Sequence, residues 1–185
     1  MQPYTKLKHR LPLQALRHSE GSIKHLIHYA AQNGWYEITD ILIRQLNLNV
    51  NLHNKEQITP LHCAVSARKQ DIVRLLLRRH GVDVNEPSGL RWHPLTPLST
   101  AARAGDEGIV RDLINRQSIE VNARCGVYFE TALHHGTTPS IVLVLINVPG
   151  IDISCKSTRG FTPLHSATMR IKEKSSPHSG SIAGS

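Results

Sequence analysis

The chain has 185 residues and a formal net charge of +8, and 39% of its residues are hydrophobic but only 4% are aromatic. This length suits one or two ordinary domains, and any core must consist mainly of Leu, Ile, Val and Ala. No apolar run reaches the ~18 residues that suggest a membrane-spanning helix, so we expect no membrane span. The dispersed positive charge favours solubility and acidic partners.

Residues 1–19 form a basic N-terminal segment with Lys6, Lys8, Arg10 and Arg17. Its apolar residues never form the continuous core of a signal peptide. The three cysteines of the chain include no CxxC pair, and their odd number leaves at least one thiol free. This usage favours a reduced, intracellular setting, cytoplasmic or nuclear.

Residues 59–85 contain the best-formed structural unit of the chain. Thr59 can accept a hydrogen bond from a free amide at a helix start, and Pro60 suits the first helical position. A helix is predicted over about 60–67, with one apolar face. The residues of that face are Leu61, Ala64 and Val65.

A second helix is predicted over about 71–79. Asp71 near its start and Arg79 near its end complement the helix dipole, and Gly81 is placed to end it in a left-handed conformation. Its apolar residues are Ile72, Val73, Leu75, Leu76 and Leu77. Two short helices cannot bury both apolar faces alone, so this unit needs neighbours.

Weaker copies of the unit recur along the chain. The Thr-Pro-Leu-His motif of residues 59–62 returns in part at 96–98 and 131–134 and in full at 162–165, and before it His28 and Ala30 overlay His62 and Ala64. These residues resemble the ankyrin repeat, which has a period near 33 and a Thr-Pro-Leu-His-x-Ala signature. The resemblance covers residues 20–170, with repeats starting near 20, 54, 91, 126 and 157.

The resemblance implies an all-α solenoid of about four and a half helix–turn–helix repeats, each followed by a β-hairpin or loop finger. The finger at about 85–95 is lengthened, and the first helix of the fourth repeat is predicted to be short or broken. Residues from about 172 onward look disordered, so residues 171–185 are assigned to a tail. We take as a hypothesis that the chain is a truncated or partial array of a larger protein.

Twelve histidines raise the question of a metal site. However, His28, His62, His134 and His165 share one repeat position, where the resemblance implies a structural histidine bonded to nearby backbone. The zinc spacings of paired Cys and His are absent. No metal or cofactor is therefore expected.

The cysteines also favour structural roles. Cys63 falls at a packing position on a first helix, whereas Cys125 and Cys155 fall in predicted fingers and can be exposed. Nothing marks any of them as a nucleophile with a lowered pKa.

No phosphate-binding loop, dinucleotide fingerprint or nucleophile elbow is present, so we expect no enzyme activity. Basic runs such as 6–10 and 78–80 are not gathered on one face, as a nucleic-acid surface requires. Binding of an acidic or nucleic-acid ligand through net positive charge stays a weaker alternative.

Recognition of a protein is therefore the favoured function. The resemblance implies a concave surface built from finger tips and exposed positions of the first helices. The predicted contact residues are Lys55, Glu56, Ile58, Ser66, Trp92, His93, Leu95, Arg103, Tyr128, Glu130, Arg159 and Phe161. Aromatic and Arg side chains are typical interface anchors, although Trp92 can instead pack against its own long finger.

We accordingly predict a monomeric, non-catalytic scaffold or adaptor. The alternative is that the array belongs to a larger multidomain protein and positions an effector domain. The sequence names no partner.

Overall fold

A computed structural model describes residues 20–89 and 94–175 of the chain. Within these residues the secondary structure consists of nine α-helices. They are α1 Glu20–Asn33, α2 Tyr36–Arg44, α3 Pro60–Ser66, α4 Gln70–Leu77, α5 Pro97–Ala104, α6 Glu107–Ile114, α7 Ala132–His135, α8 Pro139–Ile146 and α9 Pro163–Ser175. None of the helices in these two ranges is both long and apolar enough to cross a membrane.

The helices form two rows. The first helices of successive repeats pack side by side, α1 on α3, α3 on α5, α5 on α7 and α7 on α9. The second helices form a parallel row, α2 on α4, α4 on α6 and α6 on α8. Helix pairs within repeats join the rows, which is the solenoid that the repeated sequence predicts.

Local sequence signals define where the helices begin. Thr96 Oγ1 accepts a hydrogen bond from Ser99 N at 3.2 Å, and Thr59 Oγ1 accepts one from His62 N at 3.4 Å. Proline follows both threonines as the first helical residue. Asp106 caps α6 in the same way through Ile109 N, at 3.0 Å. The predicted start of the first helix at Pro60 is confirmed.

The core lies between the two rows and consists of aliphatic residues. The five apolar residues predicted for the second helix of the best-formed unit are all buried. Burial of each such side chain contributes about 1.5–3 kcal/mol relative to exposure. Stacking of the rows is therefore the main source of stability.

The end of α4 differs from the prediction. The helix stops at Leu77, because Arg79 N bonds Leu76 O at 2.9 Å in a tighter turn. Gly81 is left-handed, with φ of 78°, but it lies in the turn beyond the helix. The helix therefore ends before the glycine that the sequence assigned to this role.

The fourth repeat has the short first helix that the sequence predicts. α7 has four residues, and Gly136 follows it in an extended conformation. Thr137 Oγ1 then donates to Ala102 O of the preceding repeat, at 3.2 Å. This bond ties the loop to α5 where a longer helix would have packed.

The fingers are mostly loops. In the part of the chain that the structure describes, the one β-bridge joins Cys125 and Glu130, with both N···O distances at 2.8 Å. The end of the array also differs from the prediction, since α9 continues to Ser175, past residue 172 where disorder was expected. The segment 171–174 is Ile-Lys-Glu-Lys, and Lys and Glu are among the residues with high helix propensity.

Candidate functional site

Two of the repeated histidines connect their repeat to the next finger. His134 Nε2 lies 3.0 Å from Phe161 O, and His28 Nε2 lies 2.8 Å from Leu52 O. A carbonyl only accepts, so Nε2 donates and Nδ1 of the neutral ring is an acceptor. His134 Nδ1 lies 2.9 Å from Thr131 Oγ1, whose hydroxyl can donate to it. These contacts agree with the structural role that the resemblance implies.

His62 occupies the same position with a weaker outer contact. Its Nδ1 lies 2.8 Å from Thr59 Oγ1, but its Nε2 makes no hydrogen bond of normal geometry. Burial lowers the pKa of His62, and the nearby backbone of Leu95 and Glu86 opposes that shift. His62 is therefore a buried neutral ring that packs between repeats.

The described residues contain no cluster of three or more His, Cys, Asp or Glu that could hold a metal ion. Burial raises the pKa of the Cys63 thiol to about 11, so it stays protonated and weakly nucleophilic at neutral pH. Cys125 is buried, not exposed, because its backbone pairs with Glu130 and its Sγ lies 3.1 Å from Ser99 Oγ. Cys155 is half-buried.

The predicted contact residues of the second and third repeats are mostly exposed. Lys55 and Glu56 lie on an exposed finger turn, and Ile58 is half-buried beside them. Ser66 and Arg103 are exposed near the ends of α3 and α5. These five side chains lie on the finger and first-helix side of the array.

Leu95 does not belong to this surface. It is 3% exposed, and its backbone N–H donates to Ser88 Oγ while its carbonyl accepts from Ser88 N. The long finger thus folds back and brings Leu95 into the core. Trp92 and His93 lie outside the described residues.

The fourth finger is the loop 115–131 that leads into α7, and the fifth finger is the loop 147–162 that leads into α9. These two fingers are joined to each other. Arg159 Cζ lies 3.4 Å above the ring of Tyr128, and Thr158 N donates to Tyr128 O at 2.9 Å. Arg124 donates from Nε to Phe129 O at 3.2 Å and from Nη2 to Lys156 O. Two predicted contact residues, Tyr128 and Arg159, therefore meet.

Glu130 and Phe161 contribute more to structure than to the surface. Glu130 is half-buried and its carboxylate lies 3.6 Å from His135 Nε2. The Phe161 carbonyl accepts hydrogen bonds from His134 Nε2 and from Ser157 N. The Phe161 ring stacks on the His165 ring, with centroids 6.3 Å apart. Both residues help to fix the finger bases.

Sequence reasoning missed two exposed apolar residues at the tip of the fourth finger. Val127 is 52% exposed and Phe129 is 56% exposed. Phe129 has a φ of 51°, in the left-handed region that disfavours aromatic residues. The available signal was the Val-Tyr-Phe run after Gly126, because apolar runs are unusual in projecting loops.

Comparison with known proteins agrees with the geometry. A family model described as ankyrin repeats (three copies) matches residues 14–88, and one described as ankyrin repeat matches residues 95–125. The chain belongs to the ankyrin repeat family. This family is a general protein-interaction module.

Two proteins of Latrodectus tredecimguttatus resemble parts of the chain. Alpha-latrocrustotoxin-Lt1a of Latrodectus tredecimguttatus is 41% identical over 66 residues, which are 36% of this chain and 5% of the toxin. Alpha-latroinsectotoxin-Lt1a of the same species is 39% identical over 59 residues, 32% of this chain and 4% of the toxin. The matched region is thus a small part of each relative.

Proposed function

We propose that this protein is a non-catalytic interaction scaffold or adaptor that binds a protein partner through its fingers and first helices. The observation that carries the proposal is the tip of the fourth finger, where Val127 and Phe129 expose apolar side chains beside Tyr128. Exposed aromatic and aliphatic groups on a projecting loop are typical of protein interfaces.

The backbone at this tip supports a functional explanation. Gln57, Phe129 and Gly160 occupy the equivalent position in three fingers, and all three have positive φ, at 56°, 51° and 78°. Glycine adopts this conformation freely, whereas an L side chain costs about 1 kcal/mol or more there. The exposed aromatic ring at this strained position supports a contact outside the array.

The test is quantitative affinity capture of binding proteins from cells that express the protein. The finger variant replaces Val127 and Phe129 together by Ser. Leu143→Ser is the matched control, because Leu143 is 57% exposed on α8, in the row of second helices. We expect the finger variant to lose most of the captured partners and the control to keep them.

Circular dichroism and thermal melting of both variants check that the fold is intact. Equal recovery of partners by the wild type and the finger variant would exclude the fourth finger tip as the binding surface. Loss of the same partners with Leu143→Ser would instead place binding on the second helices.

We further propose that the protein acts as a monomer in a reducing, intracellular compartment. Cys63, Cys125 and Cys155 are all free thiols, which supports that setting. Sedimentation velocity tests the monomer, and fractionation of expressing cells tests the compartment.

A second candidate function is that of a repeat segment within a larger protein, where the array positions an effector domain. The chain matches only about 5% of the length of one of its curated relatives, which favours this candidate. An antibody against residues 94–125 tests it by immunoblot. Bands well above 20.6 kDa would support a larger protein. A single band near that mass would contradict this candidate.

A further inference from the structure

We propose that the partner is an acidic polypeptide segment, and that it docks on the fourth and fifth fingers. The docking surface, here named the basic finger pair, comprises Arg124, Lys156 and Arg159 together with Tyr128 and Phe129. This inference rests on the proposed function and specifies the chemistry of its partner.

The two sides of the array differ in how their positive charges are neutralised. Arginine–carboxylate pairs in the described residues all lie on the second helices or the turns that follow them. They are Arg44–Asp40 at 2.9 Å, Arg79–Asp40 at 2.5 Å, Arg74–Asp112 at 2.9 Å and Arg111–Glu107 at 2.8 Å. This side of the molecule already supplies its own counter-charges.

The two fingers of the basic finger pair arrange their cations differently. Arg124 donates to the carbonyls of Phe129 and Lys156, and Arg159 stacks on Tyr128. Lys156 is exposed. Carbonyl and ring contacts hold these side chains in place without cancelling their charge.

Two carboxylates lie near the basic finger pair, and both have partners. Hydrogen bonds from Ser154 are the main reason that the pKa of Asp152 is lowered, and Arg124 adds to the shift. Ser154 N and Oγ lie 2.9 and 2.8 Å from Asp152 Oδ1. Glu130 is half-buried beside His135. Neither carboxylate forms an ion pair with Lys156 or Arg159 in the described residues.

Arg159 is pre-organised for a carboxylate. A guanidinium stacked on an aromatic ring keeps its N–H groups in its own plane, where they can donate to an anion in a two-pronged geometry. The exposed Phe129 ring lies on the same finger as Tyr128. The surface therefore fits an extended segment in which acidic and apolar side chains alternate.

A polypeptide fits this surface better than a nucleic acid does. Single-stranded nucleic acid needs a groove of cations that follows a continuous row of phosphates. Here the carboxylate of Asp152 lies close enough to Arg124 to interact with its charge, and Glu130 is on the same finger as Arg124, so both would oppose such a row. An acidic peptide can place neutral or apolar residues opposite them.

The experiment measures binding of a fluorescein-labelled peptide of repeated Glu-Leu-Glu-Gly to the full chain, by fluorescence anisotropy. The same peptide with Gln in place of Glu is the uncharged counterpart. We expect the Glu peptide to bind and the Gln peptide to bind at least tenfold more weakly, because charge-assisted hydrogen bonds are roughly twice as strong as neutral ones.

Variants locate the binding. Arg159→Gln is expected to weaken the Glu peptide about tenfold, and Arg159→Lys, which keeps the charge and loses the planar fork, about threefold. Arg78→Gln is the matched control, because Arg78 is an exposed arginine that follows α4. It makes the same change in net charge and should alter affinity by less than about twofold.

Equal weakening by Arg78→Gln and Arg159→Gln would mean that net charge alone binds the peptide, and would overturn the docking site. Tighter binding of a single-stranded oligonucleotide, with the same loss on Arg159→Gln, would reassign the surface to nucleic acid. No binding of the Glu peptide, with partners still lost by the Val127/Phe129 variant, would refute the acidic partner and leave the proposed function standing.

Discussion

The interior repeats and the last repeat contain the same motif in different environments. The motif leucines Leu61, Leu98 and Leu133 are 2%, 2% and 5% exposed, whereas Leu164 at the equivalent position is 72% exposed. Each interior leucine is on a first helix that packs against the first helix of the next repeat. Burial at this position therefore depends on the following repeat and not on the motif itself.

Two other features repeat the contrast. Val84 is 1% exposed at the base of its finger, whereas the equivalent Ile153 is 61% exposed. His134 reaches Phe161 O of the next finger, whereas the contacts described for the His165 ring are those to Thr162 and Phe161 of its own repeat. In a stacked array, one repeat completes the packing of the repeat before it.

The largest expected effect on the free energy of unfolding is at the motif leucines. Leu98→Ala should destabilise the protein by about 2–5 kcal/mol, because it leaves a cavity between stacked helices. Leu164→Ala should cost less than about 0.5 kcal/mol, since its side chain is mainly in water. Urea unfolding followed by circular dichroism measures both. Similar losses of stability in Leu98→Ala and Leu164→Ala would contradict the difference in burial between the interior and last repeats.

The expected difference in stability between the His134 and His165 variants is smaller than that between the two leucine variants. His134→Ala removes a buried hydrogen bond and leaves the Phe161 carbonyl and the Thr131 hydroxyl with fewer partners. We expect a loss of about 1–3 kcal/mol. His165→Ala is the control and should cost less than about 0.5 kcal/mol in the same urea series. A His165 effect as large as that of His134 would refute the bracing role.

Substitutions at the equivalent turn positions of the fourth and fifth fingers should change stability in opposite directions. Phe129→Gly should stabilise the protein by up to about 1 kcal/mol, because glycine adopts positive φ without strain. Gly160→Ala should destabilise the last finger by a similar amount, since Gly160 has a φ of 78° and no atom within 4 Å of an added Cβ. Thermal melting tests both variants. A destabilisation larger than the ~1 kcal/mol that the extra backbone entropy of glycine can cost would show that the exposed ring has a packing role.

The smallest effect concerns pH. Burial lowers the pKa of His62, so the unfolded chain binds its proton more readily than the folded chain does. Stability should therefore fall as pH drops below about 6.5, by no more than about 1.4 kcal/mol per pH unit for this one group. Urea midpoints measured between pH 8 and pH 5 on the wild type and His62→Gln test this. A pH dependence unchanged in the variant would exclude His62 as its source.

The candidate surface was only partly predictable. Lys55, Glu56 and Arg103 are exposed as their repeat positions indicate, because register along a helix or turn is a local property. Leu95 was misassigned, since the path of the lengthened finger decides its burial. Val127 and Phe129 were overlooked because their exposure depends on how the finger projects from the array.

The sequence by itself determined the repeat, the starts of most helices and the apolar positions of the core. These follow from threonine caps, proline at the first helical position and helical spacing, which all act within a few residues. Only the tertiary structure decided that Arg159 lies on Tyr128, that Arg124 reaches Lys156 and that Leu164 is exposed. The first two contacts join residues about 30 positions apart, and the exposure of Leu164 depends on packing between repeats, so local sequence patterns do not encode them.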